Sequence, residues 1–361
     1  MNILLFSRIV AKSGVGNHMK QLSEELVRKG HNVCVMSSTN ELGIGEGNSQ
    51  VEFVYLTPIS LNPVAIIKGI KKLHQTIKDN KIELVHCHHR MAALYMKFYR
   101  FFYKIPMVYT LHLADVPADF MHRKMTYVGD KAIGVSTEVS DFLVNKLLVP
   151  ADKVTTIFNG VDEKQLTDLS SEERNEVYAK YDIPENRVIF VMHSRIDEVK
   201  NHMLVVDALK EMPKEYRNQL GFVCSGIQSG SYYERVKQKI EEYNLQDNFV
   251  FTGWIDTRSI LGIADALVLP STNEGFPLSV IEAFLMKVPV FRTRTGGFDD
   301  QKYCVEISQT DFIGLAGILM DFIDNKEKYT DISDMAYQYA MEEFTLEKMT
   351  DNTLGIYSVI K

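Results

Sequence analysis

The sequence predicts an α/β protein built from two Rossmann-like, doubly wound domains that face a central cleft. Three observations carry this expectation. A length of 361 residues exceeds what one ordinary hydrophobic core serves and favours two domains of roughly 150 to 200 residues each. Short apolar runs alternate with stretches of helical periodicity, the pattern of parallel sheets covered by helices on both faces. The alternation breaks in a polar, glutamate-rich segment after Asp162 and restarts at Val188, which sets a domain boundary near residue 165.

The first apolar run, residues 3–6, leads through a glycine loop into a helix over 17–29 closed by Gly30. Runs at 32–36, 83–86, 107–111, 131–135 and 155–158 complete the first series, and runs at 188–192, 221–224, 248–251, 266–269 and 288–291 form the second. Residues 1–165 are therefore expected to form one domain and 166–345 the other. In the last segment, 346–361, Leu346, Met349, Thr353, Ile356, Tyr357 and Ile360 fall largely on one helical face, which can dock on either domain.

A formal charge of −7 argues against a broad nucleic-acid-binding surface, although local basic patches are compatible with it. Cys34, Cys87, Cys224 and Cys304 are scattered without a CxxC pair, so neither a disulfide framework nor a structural zinc site is indicated. The opening MNILLFSRIV lacks a charged n-region and a cleavage site, and no apolar run reaches the length that spans a bilayer. A cytoplasmic protein is expected, with peripheral contact at the inner membrane face left open.

The densest chemical signal follows the run at 266–269. There Glu274-Gly275-Phe276-Pro277-Leu278 leads into an apolar helix carrying Glu282. Pro277 suits a first helical turn, where its missing N–H would be unpaired anyway. A helix start offers free amides and a positive dipole end, so the backbone near Phe276, Leu278 and Ser279 suits a diphosphate. Glu282, among Val280, Ile281, Ala283 and Phe284, is costly to bury unless it meets strong donors, and ribose hydroxyls would supply them. The plainer reading makes Glu274 a helix-start acid and Glu282 an ion-paired structural residue.

These residues resemble the E-x7-E motif of family 4 glycosyltransferases, retaining enzymes with the GT-B fold. Upstream, His193-Ser194-Arg195-Ile196-Asp197-Glu198-Val199-Lys200-Asn201 resembles that family's G-R-L-x-x-x-K-N segment, which implies that Arg195 and Lys200 bind the donor diphosphate. Phe251-Thr252-Gly253-Trp254 resembles the strand and turn near the nucleotide base, with Trp254 as core filler the alternative. Gly296-Gly297 resembles the family's paired glycines. Phe344 to Met349 resembles the start of its terminal helix, which implies that this helix crosses back to the N-terminal domain.

In the first half, Ser13-Gly14-Val15-Gly16-Asn17-His18 resembles the family's glycine-rich loop, with Ser13 in place of the usual first glycine. The resemblance implies that Gly16 approaches the donor, whereas plain strand-to-helix geometry explains Gly14 and Gly16 equally well. Tyr109-Thr110-Leu111-His112 resembles the T-x-H position facing the transferred sugar. His86, Cys87, His88 and His89 are the densest set of possible metal ligands, but no nearby carboxylate or second cysteine completes a site, so no metal is expected. Between Lys97 and Lys104 lie five aromatics among three cations. A helix there can rest on an anionic membrane and reach a lipid-linked acceptor, and a core helix with a basic outer face is the preferred reading. Arg292 and Arg294 suit either an acidic acceptor or pairing with Asp299 or Asp300.

Together these features point to transfer of a sugar from a nucleoside-diphosphate donor, a UDP-sugar favoured, to a hydroxyl on a glycan or lipid-linked acceptor. His112, Arg195, Lys200 and Glu274 are the candidate catalytic residues. Gly14, Gly16, Trp254, Gly275, Phe276, Pro277, Leu278 and Glu282 complete the donor-binding set. No D-x-D sequence occurs, so cations and amides are expected to replace a metal on the diphosphate and no cofactor is expected. The resemblance implies retention at the anomeric carbon and a place in polysaccharide or glycoconjugate synthesis. The competing readings are a sugar-nucleotide epimerase of the same fold and a non-catalytic scaffold that binds nucleotide-sugars.

Overall fold

A computed structural model describes residues 1–47, 50–114 and 116–361. It divides into two compact units, Met1–Val161 with Phe344–Lys361, and Asp162–Glu343.

The N-terminal unit holds a seven-stranded sheet of β1 (Asn2–Phe6), β2 (Asn32–Ser37), β3 (Val51–Tyr55), β4 (Leu84–Cys87), β5 (Met107–Leu111), β6 (Lys131–Gly134) and β7 (Val154–Thr156). All pairs are parallel, in the order β3-β2-β1-β4-β5-β6-β7. The central strands read as unbroken apolar runs because helices cover both faces. Ile3, Leu5, Val35, Leu84 and Val108 join Leu346, Met349 and Tyr357 of the terminal helix Leu346–Ile360 in one core. That helix is tied down by Lys29 to Asp351 at 2.7 Å and by the Gly160 amide to Met349 Sδ at 3.1 Å. A side chain at Gly160 would run into the Thr345 carbonyl, so the close approach requires glycine there.

The C-terminal unit holds β8 (Val188–His193), β9 (Leu220–Ser225), β10 (Phe249–Gly253), β11 (Ala266–Leu269), β12 (Val290–Thr293) and β13 (Val305–Ile307), all parallel in the order β10-β9-β8-β11-β12-β13. Its core centres on Phe190, in ring contact with Phe222, Phe291 and Phe322.

Strands β3 and β13 do not belong to the expected series. Both lie at a sheet edge, and Glu52 in the first and Glu306 in the second interrupt the apolar run by which a strand is read. The first helix opens at Gly14, ahead of the expected Asn17, because Ser13 accepts from the Gly16 amide and caps it.

Candidate active site

In the C-terminal unit the strand order reverses between β8 and β11, the position where open parallel sheets take ligands. The loops leaving these two strands carry the candidate residues. After β8, the Asp197 side chain accepts from the Lys200 amide at 3.1 Å and meets the Arg195 guanidinium at 3.2 Å, leaving more than half of the Arg195 side chain exposed. Asp197 therefore shapes the turn that presents both cations; in the sequence it is one of the unspecified positions of the motif. After β11, Thr272 donates its amide to the Val199 carbonyl at 2.8 Å and joins the two loops. Across that join, Lys200 Nζ donates to Glu274 Oε1 at 2.5 Å in a largely buried ion pair.

The loop 274–277 rests on the paired glycines. A side chain on Gly296 would collide with the carbonyls of Glu274 and Gly275, and one on Gly297 with the Phe276 ring. Phe276 is buried, so it anchors the loop from beneath. Pro277 differs from expectation. Its ψ of 124° places it just outside the helix Leu278–Leu285, and its carbonyl accepts from Gln301 Nε2 at 3.1 Å. An extended residue cannot belong to the first turn, so the helix opens at Leu278. No side chain among the described residues caps this start, so its first amides have no partner from a capping side chain.

Glu282 sits one turn into that helix with 9% of its surface exposed. No side chain among the described residues hydrogen-bonds to its carboxylate, and burial alone raises its pKa to about 7. The ion-paired structural reading of Glu282 is thus overturned. Among the described residues neither Arg195 nor Glu282 bonds to the Lys200–Glu274 pair; the structure sets them on the same loops and helix. Trp254 is not core filler. It follows β10 with 68% of its surface exposed and borders a pocket of ≈ 450 Å³ with Val177, Lys180, Tyr181 and Arg258.

Of the two arginines at the end of β12, Arg292 departs from expectation. Arg292 is fully buried and bonds to Gln301, to Thr295 Oγ1 at 2.9 Å and to the Gly296 carbonyl at 2.9 Å, so it braces the glycine turn from inside. Arg294 pairs with Asp299 as foreseen and also with Glu306 of β13, which the strand pattern missed.

In the N-terminal unit the order reverses between β1 and β4. Gly16 is packed so tightly that a side chain would meet the Ala11 carbonyl, whereas one on Gly14 would enter open space. Geometry inside the chain therefore accounts for Gly16, and Gly14 is the glycine open to a ligand. Beside this loop lies a cluster of imidazoles that local spacing did not reveal. His88 Nδ1 meets His112 Nε2 at 3.3 Å, and the His18 ring stands 4.8 Å from that of His112 and 5.3 Å from that of His88. Nitrogens of these three lie within 4.8 Å of one another, a spacing from which a metal ion could be held. His86 behind them bonds to Tyr357 at 2.6 Å and Thr110 at 2.7 Å. Burial pushes all four imidazoles below the usual range, His18 to about 4 and His86 to about 3, so they are neutral near pH 7. His89 stands apart as the N-cap of the helix Arg90–Phe102, accepting from the Met91 amide.

Comparison with known proteins agrees with this architecture. Residues 12–165 match the model of glycosyltransferase family 4, and residues 173–338 that of glycosyl transferases group 1. N-acetyl-alpha-D-glucosaminyl L-malate synthase of Bacillus anthracis is 22% identical over 93% of this chain and 91% of its own length. D-inositol 3-phosphate glycosyltransferase of Saccharomonospora viridis is 24% identical over 81% of this chain and 74% of its own length. Among solved structures, a glycosyltransferase from Rickettsia africae ESF-5 superposes with a TM-score of 0.85 at 22% identity, covering 99% of this chain and 98% of that one. HepE from Anabaena in complex with UDP-glucose gives 0.86 at 17% identity, over 99% and 100%. With both halves matched by these family models, the chain belongs to the group 1, family 4 glycosyltransferases of the GT-B fold.

Proposed function

We propose that this enzyme transfers a sugar, with retention, from a UDP-sugar to a hydroxyl of a glycan or lipid-linked acceptor in polysaccharide or glycoconjugate synthesis. The observation that carries the donor assignment is Glu282, a buried carboxylate without a protein partner among the described residues, one turn inside a helix whose first amides no side chain caps. Ribose hydroxyls supply the donors that Glu282 lacks, and the diphosphate takes the open amides together with Lys200 and Arg195. UDP and UDP-glucose bound to HepE, a protein of the same fold, support uridine as the base.

Lys200, Arg195 and the helix dipole act where charge develops on the departing diphosphate, which is where preorganised donors lower a barrier most. These groups do the work without a divalent ion. The acceptor oxygen bonds to the anomeric carbon on the face from which the diphosphate leaves, the carbon–oxygen bond to phosphate breaks, and the acceptor proton passes to the leaving phosphate oxygen. Glu274, held by Lys200, orients sugar hydroxyls. The neutral His112, backed by His88, hydrogen-bonds to the sugar.

The test is a thermal-shift series with UDP, GDP, ADP and their sugar conjugates in EDTA, on wild type and on Glu282→Ala and Arg195→Ala. Stabilisation by the uridine series that both variants lose is expected; a shift that depends on added metal, or one that both variants keep, overturns the donor assignment. Product analysis by anomeric NMR then reads the stereochemistry.

A further inference from the structure

We propose that the helix pair Pro63–Asp79 and Arg90–Phe102 forms a docking face for an anionic phospholipid bilayer. The two helices pack directly: Gly69 lies against the Tyr95 ring, and the His74 ring stacks on Tyr103 at 4.4 Å. Each presents an exposed stripe at helical spacing that mixes apolar and basic residues, Val64, Ile67, Lys68 and Lys71 on the first, and Lys97, Phe98, Phe101 and Phe102 on the second. Phe101 and Phe102 are 83% and 72% exposed. The outer face of the second helix is therefore aromatic as well as basic, which corrects the preferred sequence reading of a core helix with a merely basic outer face.

Charge selects the occupant. Residues 61–104 carry nine Lys and Arg against two acids, in a chain whose net charge is −7. Two copies of this face brought together would set like charges against each other, which disfavours self-association through it. A bilayer with anionic headgroups satisfies both halves of the surface at once, since aromatic rings enter the acyl boundary while lysines reach the headgroups. No helix among the described residues is long and apolar enough to cross a membrane, so the attachment proposed is interfacial. The inference rests on this face alone and is independent of the donor assignment.

The experiment is co-sedimentation of the full chain with vesicles of phosphatidylcholine alone and of phosphatidylcholine with phosphatidylglycerol, at low and high salt. Variants Phe101→Ser/Phe102→Ser and Lys97→Glu/Lys104→Glu change exposed residues only, and an unchanged melting temperature confirms that they fold. Wild type is expected to bind the anionic vesicles about tenfold more strongly than the neutral ones, with binding weakened by salt and lowered about tenfold in each variant. Equal binding to both vesicle types, or variants that bind like wild type, overturns the proposal. So does a dimer in gel filtration that the variants dissolve, or equally strong binding of an RNA oligonucleotide that they abolish.

Discussion

Lys200 Nζ and Glu274 Oε1 meet at 2.5 Å between the loops that leave the neighbouring strands β8 and β11. The pair fixes the position of a cation and a carboxylate before any ligand arrives. Lys200→Ala strands Glu274 in a largely buried place and is expected to lower stability by about 1–3 kcal/mol. On the proposed mechanism, removing the Lys200 charge is expected to lower kcat/KM for UDP release by roughly a hundredfold or more. Urea melts and initial rates check both. A Lys200→Met/Glu274→Gln double variant that is more stable than Lys200→Ala alone identifies the stranded charge as the cause.

On the proposed donor assignment, Glu282 makes donor binding depend on pH. With its pKa raised to about 7, the carboxyl is half protonated in the free protein at neutrality, while the proposed ribose contact uses the anion. UDP affinity is expected to rise with pH and level off above about 8, and at pH 6 to be about tenfold weaker than on that plateau. Isothermal titration in buffers of different ionisation heat should show proton release on binding near pH 6.5.

The same shift predicts a trade of stability against function. An acid whose folded pKa exceeds its unfolded value stabilises the fold in acid, and that contribution disappears as pH rises from about 4.5 to about 7. Glu282→Gln removes the burden of a buried charge, so at pH 8 it should gain on the order of 3 kcal/mol in chemical denaturation while losing its UDP-induced shift. A destabilised Glu282→Gln would argue for an unseen partner of the carboxylate.

Gly14 and Gly16 separate packing from binding. A methyl group on Gly16 meets the Ala11 carbonyl, so Gly16→Ala should cost about 2 kcal/mol or more, whereas Gly14→Ala enters open space and should leave the melt within about 1 kcal/mol of wild type. Loss of turnover in a stable Gly14→Ala variant would mark the loop as a ligand contact.

The imidazole cluster predicts acid lability of the N-terminal unit. His18, His86, His88 and His112 are held neutral by burial, so the unfolded chain binds protons below pH 6.5 that the folded unit refuses. Stability is then full above pH 6.5 and is lost as pH falls. At pH 5.5 His18 and His86 each cost about 1.4 kcal/mol, and His88 and His112 add to the loss in the same direction. Guanidinium melts at pH 7.5 and 5.5 read the difference, and His88→Asn should reduce it.

How far the sequence reveals this molecule depends on whether a signal is local. Eleven strands stand out as short runs followed by loop or helix signals; in β3 and β13, both at a sheet edge, Glu52 and Glu306 interrupt the apolar run. Arg195, Lys200, Glu274 and Glu282 lie in two compact motifs and are legible one by one. The imidazole cluster is not, because His18 reads as an ordinary position of an amphipathic helix and His88 lies 70 residues away from it. Arg292 misleads for a related reason: a charged residue at a strand end suggests solvent, and only the folded turn supplies Gln301 and the Gly296 carbonyl as its partners.

The hydrogen bond from the terminal helix into the sheet, Tyr357 to His86, orders events during synthesis. The N-terminal unit leaves the ribosome first, yet its core lacks Leu346, Met349 and Tyr357 until the helix that carries them emerges. The second unit is one continuous stretch and contains every strand of its own sheet before that moment. The half made later can therefore mature earlier, and the half made first stays unfinished until the helix Leu346–Ile360 emerges. A nascent chain stalled before residue 344 should bury β8 to β13 while leaving the face that awaits the terminal helix open to chaperones and proteases.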